Sequence, residues 1–217
     1  MGKGEARDTE WVTAMATIEP KSETAADEPT TGRTVLPGAP PFTVDDLLKF
    51  PDDGNRYELC NGSLLVSPAP KKLHQLALYQ LQRILDEAAP PELVLLSTVN
   101  LRVSAHDLYI PDFVVATEES LHTDELMFSP EELLLAVEVG SPSTSIRDEG
   151  FKALAYAKAG IPAYWRIDLE EEPVLYVYEL DDDRYDAPAV HKAGAVAHLT
   201  TPFPVGFDPA VLIRGRR

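Results

Sequence analysis

The stretch LLLAVEVGSPSTSIRDEGFKALAYAKAGIPAYWRI, residues 133–167, decides the fold. Its first seven residues are apolar except for Glu138, the pattern of a central strand buried on both faces. Residues 147–159 read as a helix, with residues 143–145 as candidate caps before it and Gly160 and Pro162 as stop signals after it. Residues 163–167 return to strand character. Strand, helix, strand predicts a right-handed βαβ crossover with parallel strands.

Upstream, residues 57–60 and 63–67 flank Asn61-Gly62, the dipeptide best suited to a type I′ turn, so this segment predicts a β-hairpin closed by Pro68 and Pro70. Thr43 and Asp46 resemble a capping box that opens a short helix through Leu47 and Leu48, ended by Pro51. In residues 73–88, Ala77, Leu81, Ile84, Leu85 and Ala88 fall on one helical face, which predicts a helix packed on a sheet. Further strands are expected at residues 93–99, 101–104, 109–116, 174–180 and 196–199. The fold class is α/β: a mixed central sheet flanked by helices, with an N-terminal helix and hairpin.

Residues 1–41 are rich in Thr, Glu, Ala, Pro and Gly, with apolar residues too scattered to form a face, and read as a disordered tail. Residues 42–210 then form one domain and 211–217 a C-terminal tail. With 44% hydrophobic and 25% charged residues the chain is globular in composition, and no apolar run approaches the roughly 18 residues of a membrane span. Cys60 is the only cysteine, which excludes an internal disulfide and a multi-cysteine zinc site and fits the cytoplasm. The formal net charge of −17 counts against indiscriminate binding of nucleic acid; such a role needs a local basic patch or metal ions.

A carboxylate near the end of a buried strand needs something positive beside it, and Glu138 occupies such a place. Asp112, after Pro111 in another β-rich run, can lie on an adjacent strand beside it. Two carboxylates held close either share a proton or hold a cation between them. Hard oxygen ligands without cysteine or clustered histidine favour Mg²⁺ or Mn²⁺ over zinc. Glu58, on the hairpin with Tyr57 and Leu59 on the opposite face, is a third acid for that shell. Lys152 shares a helix face with Asp148 and Tyr156, four residues away on either side. The alternatives are turn-capping or surface-paired carboxylates and an exposed Asp148–Lys152 pair. His74 reads as a capping or surface residue, Ser141, Ser143 and Thr144 as helix caps within reach of a phosphate, Tyr164 and Trp165 as core and wall, and residues 181–183 as a solvated turn.

The series Tyr57-Glu58-Leu59 with Asn61-Gly62, Ser67-Pro68, His74, Pro111-Asp112, Val137-Glu138-Val139, Ser141-Pro142-Ser143-Thr144, Asp148, Lys152, Tyr156, Gly160 and Tyr164-Trp165 resembles the Uma-two family of restriction-endonuclease-like proteins in the PD-(D/E)XK nuclease superfamily. The resemblance runs from about residue 42 to residue 207. It implies a restriction-endonuclease-like fold in which Asp112 and Glu138 bind metal, Glu58 is an additional acid and Lys152 is the active-site lysine. Two departures stand out. Gly140 replaces the lysine usual two positions after the glutamate, and Ser63 stands where the family commonly has a second glutamate.

The implied activity is Mg²⁺- or Mn²⁺-dependent endonucleolytic hydrolysis of phosphodiester bonds in DNA, with the Val139 carbonyl as a further ligand and with DNA and a second copy of the chain as partners. The alternative is a catalytically weak nuclease-fold binding or regulatory module acting through self-association, which the acidic balance and Gly140 favour; a glycosidase-like pair of carboxylates explains Lys152 less well. The spacing of Phe151, Leu154, Ala155 and Lys158 predicts the buried face of the second helix and puts Lys152 at its border, with the ammonium within about 5 Å of Glu138 or Asp112. Since the composition of the tail cannot offset its ordering entropy, a chain lacking residues 1–40 should melt as cooperatively as the full chain by calorimetry. Loss of the cooperative transition would show that the tail is part of the fold.

Overall fold

The computed structural model describes residues 36–67, 69–123, 125–140 and 147–215. Most of the expected tail, Pro68, the candidate caps at residues 143–145 with Ser141, the side chain of Asp148 and the chain end at 216–217 lie outside the described residues. In chain order the elements are α1 (Val44–Leu47), β1 (Arg56–Cys60), β2 (Ser63–Ser67), α2 (Lys72–Asp86), β3 (Leu93–Ser97), β4 (Leu101–Arg102), β5 (Leu108–Tyr109), β6 (Phe113–Thr117), β7 (Leu133–Gly140), α3 (Ala153–Lys158), β8 (Ala163–Asp168), β9 (Val174–Asp181), β10 (Arg184–Tyr185), β11 (Ala189–Lys192), β12 (Ala197–Leu199) and β13 (Val205–Phe207).

Among the described residues the main sheet has seven strands, six in the order β10-β9-β8-β7-β6-β3 and β11 paired to β9. β7 and β8 run parallel, joined through α3, as the βαβ pattern predicts, while their outer neighbours β6 and β9 are antiparallel to them. β7 is buried on both sides because each face receives a helix. Leu135, Val137 and Val139 pack under α2 through Ala77, Leu78, Leu81 and Leu85. Ala136, with Val114, Tyr164 and Tyr178, packs under α3 through Ala153 and Tyr156. Burying an α2 leucine stabilises by roughly 1.5–3 kcal/mol. The β12–β13 hairpin and the 3₁₀ turn Pro209–Ile213 complete the α2 side; Leu212 is fully buried, so a domain boundary at 210 falls inside this turn.

A smaller sheet, β2-β1-β5-β4, covers α1 through Phe42, Val44, Leu59 and Leu108. The Thr43–Asp46 capping box is present. One expected strand is wrong. Residues 109–116 are not continuous: β5 belongs to the small sheet and β6 to the main one. Pro111 lacks an N–H and constrains Ile110, so the chain leaves one ladder there and enters the other two residues later. The strand expected at 93–99 ends at Ser97 because Thr98 has φ 61, outside the extended region. β10, β11 and β13 had no alternation long enough to be read; the Asp182-Asp183 turn joins β9 to β10, with Asp182 at φ 56.

The β1–β2 register is set by Asn61-Gly62, both at positive φ (49 and 73) as a type I′ turn demands. The turn is also wedged against residue 41: a Cβ on Gly62 would stand 2.6 Å from Pro41 Cβ and 3.0 Å from Pro41 Cα. Gly62→Ala should therefore cost about 2–4 kcal/mol in urea unfolding, from backbone strain plus the clash. An unchanged midpoint would mean that the hairpin end is not held against residues 41–42.

Candidate active site

Glu58 and Glu138 come from different sheets and meet at one ammonium. Lys152 Nζ lies 2.8 Å from Glu138 Oε1 and 3.0 Å from Glu58 Oε1. All three residues are buried, Glu58 at 3% and the other two at 4% exposure. Glu58 Oε1 also accepts the Ile110 N–H at 2.9 Å, and Glu138 Oε1 accepts the Tyr156 hydroxyl at 2.9 Å. Ile110 is the residue released from the sheet ladder by Pro111, so the break in the predicted strand supplies a donor to the site.

Lys152 is delivered by a π-helical turn, Arg147–Lys152, that runs into α3. Such wide turns re-aim side chains that a regular helix would carry elsewhere. The expected buried face is incorrect: Phe151 and Leu154 are 60% and 51% exposed, whereas Lys152, Ala153, Tyr156 and Ala157 face inward. The ammonium meets the distance expectation, yet Lys152 occupies the middle of the buried face, not its border. An exposed helix-surface lysine is ruled out.

Asp112 stands at the junction between the two sheets. Phe113, in register with Val137, begins β6, so Asp112, one residue earlier, stands by the end of β7 where Glu138 and Val139 lie. Its Oδ2 accepts the Val139 N–H at 2.8 Å and lies 3.0 Å from His74 Nε2. The Asp112 carbonyl accepts the Thr98 N–H at 3.1 Å, so the strained Thr98 holds the backbone of the acid. His74 is thus neither a cap nor a surface residue: it is the third residue of α2 and its side chain is only 16% exposed.

Tyr156 has no exposure at all, and its ring meets those of Tyr109 and Tyr164 edge-on, each at 5.5 Å. Burial, then the charges of Glu138 and Glu58, push its hydroxyl well above the ordinary tyrosine range, so it remains a donor at any working pH. The reading of residues from spacing had Tyr156 on the Lys152 face without a role. It missed Arg166 altogether, a buried arginine inside β8 in register with Glu138. The signal was available, since a charge within an apolar strand is what singled out Glu138.

Removing one partner of a buried ion pair strands the other charge in a low-dielectric site. Lys152→Met should lose about 3–5 kcal/mol in urea unfolding, and Tyr156→Phe, which deletes one hydrogen bond to a charged acceptor, about 1.5–3 kcal/mol. A Lys152→Met protein as stable as the parent would show that the two glutamates do not depend on the ammonium.

The fold matches that of a solved structure from Anabaena variabilis described as "a putative nuclease": the TM-score is 0.64 at 18% identity, over 79% of this chain and 97% of that one. Comparison with the curated proteins finds no match. The sequence of residues 44–212 matches the Uma2, or Uma-two, family, described as "Putative restriction endonuclease". That span takes in Glu58, His74, Asp112, Glu138, Lys152 and Tyr156, and the chain belongs to this family.

Proposed function

We propose that the protein is a metal-dependent endonuclease that hydrolyses phosphodiester bonds in DNA. The observation that carries this is the Lys152 ammonium, 2.8 Å from Glu138, on the strand whose Val139 N–H is bound by Asp112. Position 140, where the superfamily's lysine is expected, holds glycine; an ammonium from the following helix reaches the same glutamate instead.

The donor set suits a hard divalent cation. Glu58, Glu138 and Asp112 carry three formal negative charges against two from Lys152 and Arg166, the latter in register with Glu138, with His74 adding a third positive charge only when protonated. Among the described residues no three His, Cys, Asp or Glu side chains converge closely enough to hold one ion. Mg²⁺ does not require that, because it commonly keeps several waters and binds through one or two carboxylates. Asp112 and Glu138 would hold Mg²⁺ or Mn²⁺ with the Val139 carbonyl as a further oxygen, while Glu58, engaged by Lys152 and the Ile110 N–H, stands outside that pair. When bound, the ion supplies Lewis acidity and lowers the pKa of water at the site.

The chain's own groups have distinct tasks in this reading. Lys152 places a compact donor where charge develops on the phosphoryl oxygens or where the attacking water must be oriented. Glu58, fixed by the Ile110 N–H, holds that ammonium in place. Tyr156 holds the Glu138 carboxylate, and Val139 N–H and His74 hold that of Asp112.

The test is nicking of supercoiled plasmid by the full chain with Mg²⁺ or Mn²⁺, beside calorimetric Mn²⁺ binding. Asp112→Asn and Glu138→Gln should abolish Mn²⁺ binding and lower nicking at least about a hundredfold while the proteins still melt cooperatively. Unchanged nicking and Mn²⁺ binding in both variants would refute the site. A folded parent that binds no Mn²⁺ and cuts no DNA would favour the self-associating module.

A further inference from the structure

A groove of about 310 Å³ opens between α1, the start of β1 and the turn at Thr98, and no residue of the acid cluster lines it. That volume is at the lower end of the roughly 300–1,000 Å³ of small-molecule sites, room for one planar ring system with a sugar and too little for a duplex. Leu47, Leu108, Ile110 and Met127 form apolar walls. Leu48 and Leu126 also line it and are 56% and 72% exposed, so the groove is open to solvent.

Tyr57 supplies a fixed aromatic wall. Its hydroxyl donates to Asp53 Oδ2 at 2.6 Å and accepts from Asn55 Nδ2 at 3.3 Å, and its ring meets that of Phe50 edge-on at 5.2 Å. Three other lining groups are not engaged in this way: the Arg56 guanidinium, the Thr98 hydroxyl and the Asn100 amide have no hydrogen-bond or ion-pair partner among the described residues. The lining holds no Asp or Glu, in a chain with 36 of them against 19 Lys and Arg. Such a slot fits a ligand that is flat, carries hydrogen-bonding edges and ends in an anion. A nucleobase stacks on aromatic and apolar faces, an asparagine amide presents a donor beside an acceptor to its edge, and the guanidinium fork takes phosphate oxygens in pairs.

The groove also borders the acids. Ile110 lends its N–H to Glu58 Oε1, and Thr98 lends its own to the Asp112 carbonyl. Arg56 stands two residues before Glu58 on β1, so strand alternation puts it on the face that bears the glutamate.

We propose that this groove binds one nucleotide unit, with the base against Tyr57 and Asn100 and the phosphate on Arg56. The assignment of a nucleotide comes from the groove's own groups; that the unit belongs to a cleaved DNA strand rests on the nuclease reading.

Calorimetry and ligand-detected NMR on the full chain in EDTA, where no metal contributes, measure binding of dAMP, of deoxyadenosine and of a single-stranded oligodeoxyadenylate. The parent should bind dAMP about tenfold or more tightly than deoxyadenosine, the difference made by a charge-assisted phosphate contact. Arg56→Gln should remove that difference, and Asn100→Ala should weaken both ligands about fivefold. Neither side chain has a partner within the described fold, so both variants should melt as the parent does. A free nucleotide as the ligand predicts that dAMP binds at least as tightly as the oligonucleotide. A strand as the ligand predicts tighter oligonucleotide binding, and plasmid nicking by Arg56→Gln with a raised KM and little change in kcat. Either pattern supports the groove.

A parent that binds neither dAMP nor the oligonucleotide overturns the proposal, and if it nicks plasmid the nuclease reading stands without it. Binding of dAMP without any nicking supports the groove and counts against the nuclease reading. Equal affinity for dAMP and deoxyadenosine, unchanged in Arg56→Gln, assigns the slot to an apolar ligand and also overturns the proposal.

Discussion

The Lys152 ammonium, held between two buried carboxylates, is the constraint to which the rest of the structure answers. Charges removed from water cost several kcal/mol each unless geometry and hydrogen bonds offset the loss. Three elements must therefore arrive together: β1 with Glu58, β7 with Glu138 and the helical turn with Lys152. β7 and the turn follow one another in sequence, but β1 lies far upstream of both. A slip of one residue in the β1–β2 pairing would turn Glu58 away and bring Leu59 toward the ammonium, with both residues on the wrong faces. The Asn61-Gly62 turn and its contact with Pro41 thus protect the site from a distance, by forbidding that slip.

Irregular backbone collects around the same charges. Thr98 takes a positive φ that a β-branched residue avoids, and its N–H reaches the Asp112 carbonyl. Pro111 breaks a strand and frees the Ile110 amide for Glu58. A π-helical turn precedes α3 and sets the direction of Lys152. Each departs from the regular structure that would be more stable in isolation, and all three contact or carry a residue of the cluster. Strain maintained at one place by a well-packed surround is a common property of functional sites. Here the surround is the pair of cores on either side of the main sheet.

The parts of this arrangement that could be read from the sequence are those where one local signal had one meaning. Asn-Gly between alternating runs is a hairpin, and an apolar strand with one carboxylate is a buried strand with a charge to compensate. Pro111 was legible as a residue type and misleading in its consequence, because only tertiary pairing shows that the strand on its two sides joins different sheets. The second helix failed for another reason. Its apolar residues follow a helical spacing, yet Phe151 and Leu154 face outward while a lysine and a tyrosine face inward. Periodicity assumes that the apolar side chains are the ones the fold must bury. At a site built from charges that assumption reverses, since the glutamates require Lys152 and Tyr156 more than the core requires another phenylalanine.

Charge balance then links this local chemistry to the behaviour of the whole chain. A protein with a formal charge of −17 repels a polyanion at long range, so any encounter with DNA would gain little from electrostatic steering. Attraction has to arise at short range, from groups whose fields are least screened. The buried cations do not supply it alone, because Glu58 and Glu138 offset Lys152, so a divalent ion at the acids would have to provide it. Lys152 is held by Glu58 and Glu138, and Arg166 by the Tyr176 ring with Asp168 nearby. Any divalent ion at Asp112 and Glu138 would add to the same short-range field. In the nuclease proposed above, affinity of this kind would be concentrated at the ion and its ligands instead of being spread over a basic surface, so substrate binding and the geometry of reaction would depend on the same few side chains.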